Sequence, residues 1–348
     1  MPARITMLPS GHTFEILAQE TILEAGLRAG RAMNYGCSDG NCGGCKARVV
    51  SGDVIKTRHH DFALTAQEKS QNTILLCCHS GEGDVVIETP EAEGSHEIPH
   101  QKIIAKVRKI TLPTPEDIRA VAMVHIKTPR TQRLRFLAGQ HVRLDFGDDV
   151  AALCAVASCP CDDMNLHFHL PYRRDDAFSE FIFNTLKPTQ TVTIEGPFGN
   201  FILDDDVKTP LIFVACGAGF APVGSLIEQA MALDETTPIH LLRSPDPANL
   251  RAGPAPEFGF GNDSAPPYLD NLCRSWKDVW DGFEYDTLND DTTAMIDAAS
   301  RRARAFDQYR LYLSGPSTWL KTVRDGLVQA NVRAEWIVGD DINGYREI

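Results

Sequence analysis

The sequence predicts three modules in a row: an α+β unit, an antiparallel β-barrel, and a doubly wound parallel α/β layer. Three observations lead there. A glycine-rich run with cysteines at fixed spacing lies within residues 1–92, short strand signals recur through residues 101–205, and from residue 206 onward strands alternate with helices. The chain of 348 residues is long enough for such a division at about 100 to 200 residues per module, each with its own core.

Residues 1–92 open with a short strand, the Ser10-Gly11 turn, an alternating strand at Phe14 and Ile16, and a helix over Thr21 to Arg31. After the cysteine run, Ala47 and Val49 alternate in a strand, Thr65 to Ser70 reads as a short polar helix, and Val85 to Glu88 closes the sheet. Residues 93–100 lie in a stretch rich in Glu, Pro and His, without periodicity, and form a linker. The second module, residues 101–205, carries strands at Ile103 to Lys109, Val121 to Ile126, His141 to Phe146, Asn165 to Leu170 and Thr191 to Glu195, with one helix over Ser179 to Leu186. The third, residues 206–348, starts with the apolar strand Leu211 to Ala215, the turn Gly217-Ala218-Gly219, a helix to about Ala232 and a strand at Ile239 to Leu242. A helix near Met295 to Ala305, a strand at Tyr309 to Leu313 and a helix at Thr318 to Ala330 complete it. Arg243 to Asp291, rich in Pro, Gly and Asp, reads as a surface excursion.

The formal net charge of −13 excludes nucleic acid as the natural partner, because phosphate neutralisation needs a basic patch. It suits a soluble acidic protein that meets a basic partner surface. The uncharged stretch from Thr209 to Ile227 approaches membrane-spanning length, but Gly217, Gly219, Pro222 and Gly224 break it, so a strand, a turn and a helix are expected and no membrane span. No basic segment followed by an apolar one opens the chain, which points to a reducing cytoplasm. Ten cysteines fall short of a disulfide scaffold. Those outside the glycine-rich run and its partner read as reduced core thiols, and Cys159-Pro160-Cys161 as loop or core cysteines. His59-His60, His96 and His100 lack metal-ligand spacing and are expected at the surface, and Asp204-Asp205-Asp206 is expected to be a solvated turn.

Cys37, Cys42 and Cys45 stand in the spacing C-x4-C-x2-C. Gly36, Gly40, Gly43 and Gly44 give the loop a backbone that can wrap closely and point N–H groups at sulfur. Zinc would favour paired C-x2-C units or added histidines, and disulfides would need an oxidising compartment. The pattern resembles the plant-type ferredoxins, in which four thiolates hold a [2Fe-2S] cluster in a β-grasp domain. Spacing leaves the fourth ligand open between Cys77 and Cys78, since neighbours on a strand face opposite ways. The run Ile74-Leu75-Leu76-Cys77 resembles the ferredoxin pattern, so the resemblance assigns Cys77 and leaves Cys78 as a buried bystander. Electrons are expected to leave by the loop edge at Asp39 and Asn41, with an acidic patch near Glu82 and Asp84 meeting the acceptor.

Further landmarks are Gly139-Gln140, Gly196-Pro197-Phe198-Gly199 and Gly217-Ala218-Gly219-Phe220-Ala221-Pro222. Together they resemble the ferredoxin-NADP reductase superfamily. With the ferredoxin module in front, the order resembles the iron-sulfur flavoprotein reductases that serve ring-hydroxylating dioxygenases, other multicomponent oxygenases and dideoxysugar synthesis. The resemblance implies NAD(P)H and FAD as the electron source and a protein acceptor, such as an oxygenase component. It also implies Gly217, Ala218, Gly219 and Ser179 as cofactor-binding positions.

The residues depart from that family at the flavin. Ala152-Leu153-Cys154-Ala155 stands where the family has Arg-x-Tyr-Ser, and Asp175-Asp176 where it has Gly-Gly. Ser314-Gly315-Pro316 replaces Cys-Gly-Pro, a Gly-x-Arg is not evident in Leu241-Leu242-Arg243-Ser244-Pro245, and Ile342 occupies the place of an aromatic residue. Tyr172, Arg173 and Arg174 read as a solvated strand end, the alternative being that the two arginines take over phosphate contact and Tyr172 offers a ring to the flavin. Two readings follow: a reductase fed by NAD(P)H through FAD, or a flavin-free electron carrier whose reductase-like modules serve as a docking platform. The sequence assigns no catalytic residue.

Overall fold

The computed structural model describes residues 3–342 apart from 60–61, 93, 114–120, 205–208, 234–236, 246–266 and 289–290. The first sheet uses β1 (Ala3–Leu8), β2 (Thr13–Ile16), β3 (Lys46–Lys56), β4 (Thr73–Leu75) and β5 (His79–Glu88) in the order β2-β1-β5-β3-β4. Only β1 and β5 run parallel within it. Alternation puts Ile5 and Met7 of β1 into the core, where helix α1 (Ile22–Arg28) adds Ile22, Leu23, Ala25 and Leu27. Thr21 starts α1 with a capping box: its hydroxyl accepts the Glu24 N–H, and Glu24 returns a carboxylate to the Thr21 N–H. The same device at Thr65 and Glu68 starts α2 (Ala66–Ser70).

The second sheet is antiparallel throughout: β6 (Gln101–Thr111), β7 (Val121–Lys127), β8 (His141–Asp145), β9 (Ala151–Ala155), β10 (Asn165–Pro171) and β11 (Thr191–Phe198), in the order β10-β7-β6-β11-β8-β9. Helix α3 (Ala177–Asn184) begins two residues ahead of the predicted Ser179, because Asp176 caps it. Strand β9 was not predicted. Its Ala-Ala-Leu-Cys-Ala sequence has no polar alternation, and its place comes from pairing with β8, His141 opposite Ala155.

The third sheet is fully parallel, in the order β14-β13-β12-β15-β16. Its elements are β12 (Leu211–Cys216), α4 (Phe220–Ala232), β13 (Ile239–Ser244), α5 (Asp270–Val279), β14 (Phe283–Thr287), α6 (Thr292–Arg304), β15 (Arg310–Gly315), α7 (Ser317–Gln329) and β16 (Ile337–Asp341). The surface excursion expected from Arg243 to Asp291 is corrected here. Residues 246–266 lie outside the described residues, but α5 and β14 belong to the fold: Cys273, Phe283 and Tyr285 join the core, with Trp276 packed on it. Among the described residues no helix is long and apolar enough to cross a membrane.

Candidate functional site

The cysteine loop brings only part of the expected set together: Cys45 meets Cys77, and among the described residues no three or more His, Cys, Asp or Glu side chains are gathered to hold a metal ion. Cys37, Cys45, Cys77 and Cys78 are buried, whereas Cys42 is exposed and opens one edge of the loop to solvent. The Sγ atoms of Cys45 and Cys77 lie 3.3 Å apart, and that of Cys78 is 3.7 Å from Cys77. The hydrogen bond to Cys77 draws the Cys45 thiol down to about 7, while that bond and burial push Cys77 up, as when two sulfurs compete for one proton. Backbone donors already point at sulfur: the Cys42 N–H at Cys37 Sγ, 3.2 Å away, and the Gly44 N–H at Cys42 Sγ, 3.3 Å away. A Cβ on Gly44 would stand 3.4 Å from Cys42 Sγ and 3.3 Å from the Tyr35 carbonyl carbon, so the backbone passes close behind the sulfurs. N–H donors aimed at the Cys37 and Cys42 sulfurs, beside a Cys45 thiol drawn toward the thiolate, are features an iron-sulfur cluster would use.

The loop is seated on the barrel. The Arg133 N–H donates to the Gly36 carbonyl at 2.7 Å, the Tyr35 hydroxyl to the Leu134 carbonyl at 3.2 Å, and the Ser38 hydroxyl to Asp163 Oδ2 at 3.2 Å. Asp163 is buried, and burial lifts its carboxyl to about 6 despite the Arg133 guanidinium 3.8 Å away. Arg58 holds the outer side, donating to the Ser38 carbonyl and, at 2.7 Å, to Glu24. At the loop tip Asp39 Oδ1 accepts the Asn41 N–H at 3.3 Å, so Asp39 shapes the turn. Glu82 and Asp84 are exposed on β5, where Glu82 pairs across from Asp53 and Asp84 from Arg4.

A shallow cleft opens between the barrel and the carboxyl ends of the parallel strands. Ala152, Leu153, Cys154 and Ala155 form one wall, Ala218 and Ala221 another, and Arg173, Asp176 and Ile342 the mouth. The Gly217-Ala218-Gly219 turn leads directly into α4, whose first turn has no side-chain cap, leaving N–H groups of the kind that bind phosphate. Gly219 is fixed by close approach: a Cβ there would sit 2.2 Å from the Ser314 carbonyl oxygen.

The residues on the barrel side do not fit a flavin diphosphate. Asp176 Oδ2 already accepts the Ser179 N–H at 3.1 Å, at the helix start where a phosphate would sit. Ser179 is buried; its hydroxyl accepts the Arg173 N–H at 2.7 Å and donates to the Pro171 carbonyl at 3.3 Å. Arg173, expected at a solvated strand end, instead lines the cleft and donates to the Ile342 carbonyl at 3.1 Å. Tyr172 faces away, its hydroxyl 2.6 Å from Glu180 and its ring edge-on to Phe183 at 5.3 Å. Arg174 is exposed, as expected.

Sequence reading missed two buried polar groups beside this cleft. His141 Nε2 lies 3.5 Å from Asp340 Oδ1, and the Ser314 hydroxyl donates to Asp340 Oδ2 at 2.9 Å, with all three residues buried. Arg243 is 1% exposed: its guanidinium stacks on Phe220 at 3.7 Å and donates to the Tyr268 carbonyl at 2.8 Å. A charged side chain at the end of an apolar strand was the available signal for it.

His59, His96 and His100 are exposed, as expected, while His60 and Asp205-Asp206 lie outside the described residues; Asp204 binds Arg310 at 2.7 Å. Cys159 and Cys161 are not free thiols. They close a disulfide while the other eight cysteines stay reduced. The proline between them sets the backbone into a tight turn that brings the two Cα atoms to 5.2 Å.

Residues 5–80 match the family described as a 2Fe-2S iron-sulfur cluster binding domain. The CDP-6-deoxy-L-threo-D-glycero-4-hexulose-3-dehydrase reductase of Yersinia pestis is 30% identical over 246 residues, 69% of this chain and 71% of that protein. Reductase component 1 of the Comamonas terephthalate 1,2-dioxygenase is 26% identical over 285 residues, covering 82% and 78%. In fold, an Amycolatopsis cytochrome P450 reductase superposes with a TM-score of 0.57 over 97% of this chain and 98% of its own, at 20% identity. The chain belongs to the iron-sulfur flavoprotein reductase family, in which a plant-type [2Fe-2S] domain is joined to a ferredoxin-NADP reductase-like module.

Proposed function

We propose that this chain is the reductase component of a multicomponent system and hands single electrons through a [2Fe-2S] cluster to a protein acceptor, an oxygenase component being the kind its relatives serve. The reading rests most heavily on the match of residues 5–80 to a 2Fe-2S iron-sulfur cluster binding domain, supported by the Cys45–Cys77 contact and by N–H groups aimed at the Cys37 and Cys42 sulfurs. Cys37, Cys42, Cys45 and Cys77 would hold the cluster, which when bound supplies one-electron chemistry. Cys78 packs beside them. Exposed Cys42 and Asn41 mark the edge that meets the acceptor, while Arg133 and Asp163 fix the loop from the barrel and Arg58 from its outer side.

Residues 1–92 are assigned as the ferredoxin domain, 93–100 as linker, 101–205 as the FAD-type barrel and 206–348 as the NAD(P)-type domain. Gly217, Ala218 and Gly219 offer the nucleotide turn, and Ser179 anchors the start of α3. The family implies NAD(P)H and FAD as donors. Asp176 favours a qualification: flavin is held weakly, and the cluster also accepts charge from another donor. A cytoplasmic setting is part of this proposal, in keeping with the oxygenase-system reductase components the chain resembles.

Iron and sulfide analysis of Cys77→Ala and Cys78→Ala tests the ligand set. Loss of the cluster in the first and retention in the second is expected; full retention in Cys77→Ala would falsify the assignment.

A further inference from the structure

We propose that Cys159 and Cys161 form a thiol–disulfide exchange site for a dithiol reductant, and that its state controls how firmly the cluster loop seats on the barrel. It is the one pair to close: of the other eight cysteines, four are the proposed cluster ligands and Cys78, Cys154, Cys216 and Cys273 are free. As a staple it would do little, because a bridge between residues two apart in sequence constrains the unfolded chain far less than a long loop does. Where disulfides occur beside reduced thiols in one chain, exchange and sensing are their usual roles.

The local geometry separates the two sulfurs. Cys161 is exposed, and Cys159 is half-buried with its Sγ accepting the Cys161 N–H at 3.2 Å. Attack by an incoming thiolate therefore falls on Cys161, and the N–H stabilises Cys159 as the leaving thiolate. The step balances: the dithiol's first sulfur bonds to Cys161 Sγ as the Cys159–Cys161 bond breaks, and its second sulfur then displaces Cys161. The dithiol leaves as its cyclic disulfide, and its two electrons and two protons remain on the two cysteine thiols.

All three modules meet at this turn. From α4, the Ser225 hydroxyl donates to the Ser158 carbonyl at 2.8 Å, and the Glu228 carboxylate accepts the Cys159 N–H. Helix α1 of the first module packs against the turn itself. Two residues beyond Cys161, Asp163 takes the Ser38 hydroxyl at 3.2 Å, and its carbonyl takes the Thr128 hydroxyl at 3.0 Å. Opening the disulfide frees the turn that presents Asp163 to the cluster loop. The loop's hold on Arg133 should loosen with it.

The test uses the full-length protein with its cluster, held anaerobically across ratios of oxidised to reduced dithiothreitol. Cysteines are trapped with N-ethylmaleimide for peptide mass mapping, and backbone hydrogen exchange is followed in parallel. The peptide with Cys159 and Cys161 should pass from unlabelled to doubly labelled in one two-electron transition. Over the same range the Arg133 N–H, bonded to Gly36, should exchange roughly tenfold faster. Cys161→Ser should exchange at the reduced rate at every ratio; if it fails to fold, the wild-type titration alone decides. Double labelling at every ratio, or a disulfide that opens with no change at Arg133, overturns the proposal.

Discussion

Replacing Asp176 by glycine should turn a weak flavin site into a competent one. Asp176 Oδ2 occupies the Ser179 N–H at 3.1 Å, in the mouth of the cleft that Ala218 and Ala152 line. A diphosphate entering there must displace that cap, which is worth about 1 kcal/mol. It must also approach a carboxylate. At about 5 Å and an effective dielectric constant of about 20, like charges repel by roughly 3 kcal/mol, reduced to about 1 kcal/mol where solvent reaches the pair. The two contributions total about 2 kcal/mol, so Asp176→Gly should bind FAD about thirtyfold more tightly. Stability should fall only by a few tenths of a kcal/mol, because glycine is itself an acceptable cap. Asp176→Asn keeps a capping oxygen without the charge and should gain about fivefold. Titration of the apo-flavin protein by flavin fluorescence measures both. An affinity unchanged within about twofold in Asp176→Gly, with circular dichroism intact, would refute the reasoning.

Other outcomes follow from particular contacts. Burial pushes the Glu228 carboxyl up to about 6 from 4.5, so its contribution to stability is full below pH 4.5 and lost as the pH rises through 6. Glu228→Gln should therefore be more stable than wild type by about 2 kcal/mol at pH 8, with the gap closing toward pH 5 in thermal melts; a constant gap would contradict the assignment. Gly219→Ala places a Cβ 2.2 Å from the Ser314 carbonyl oxygen and should cost about 1–3 kcal/mol in denaturant titrations, whereas a silent substitution would mean that β12 and β15 can separate there. Electron transfer to the acceptor should slow with salt and with Glu82→Gln, read by stopped flow; a rate indifferent to both would place the docking surface elsewhere.

Metal chemistry writes itself into local sequence, which is why the spacing of Cys37, Cys42 and Cys45 was legible at once, and residues 5–80 match a cluster-binding family. Parallel strands such as β12 were equally plain, since burial on both faces gives an unbroken apolar run. What stayed hidden depends on distant partners. Strand β9 exists through β8, and Ser38 meets Asp163 across 125 residues. The high polarity around α5 concealed one apolar stripe, Cys273 and Trp276, that docks it on the third sheet. Arg173 left two readings open, a solvated strand end and a phosphate contact, because an arginine at a strand end looks solvated until Ile342 folds over to accept from it. Cys159-Pro160-Cys161 carried its spacing openly, but spacing alone does not reveal a redox state.

The account is tested most directly by one sample of purified full-length protein, dialysed and assayed together for iron, acid-labile sulfide and flavin. It predicts about two irons and two sulfides per chain, with FAD well below one. Stoichiometric FAD surviving dialysis, or iron without sulfide, would contradict it.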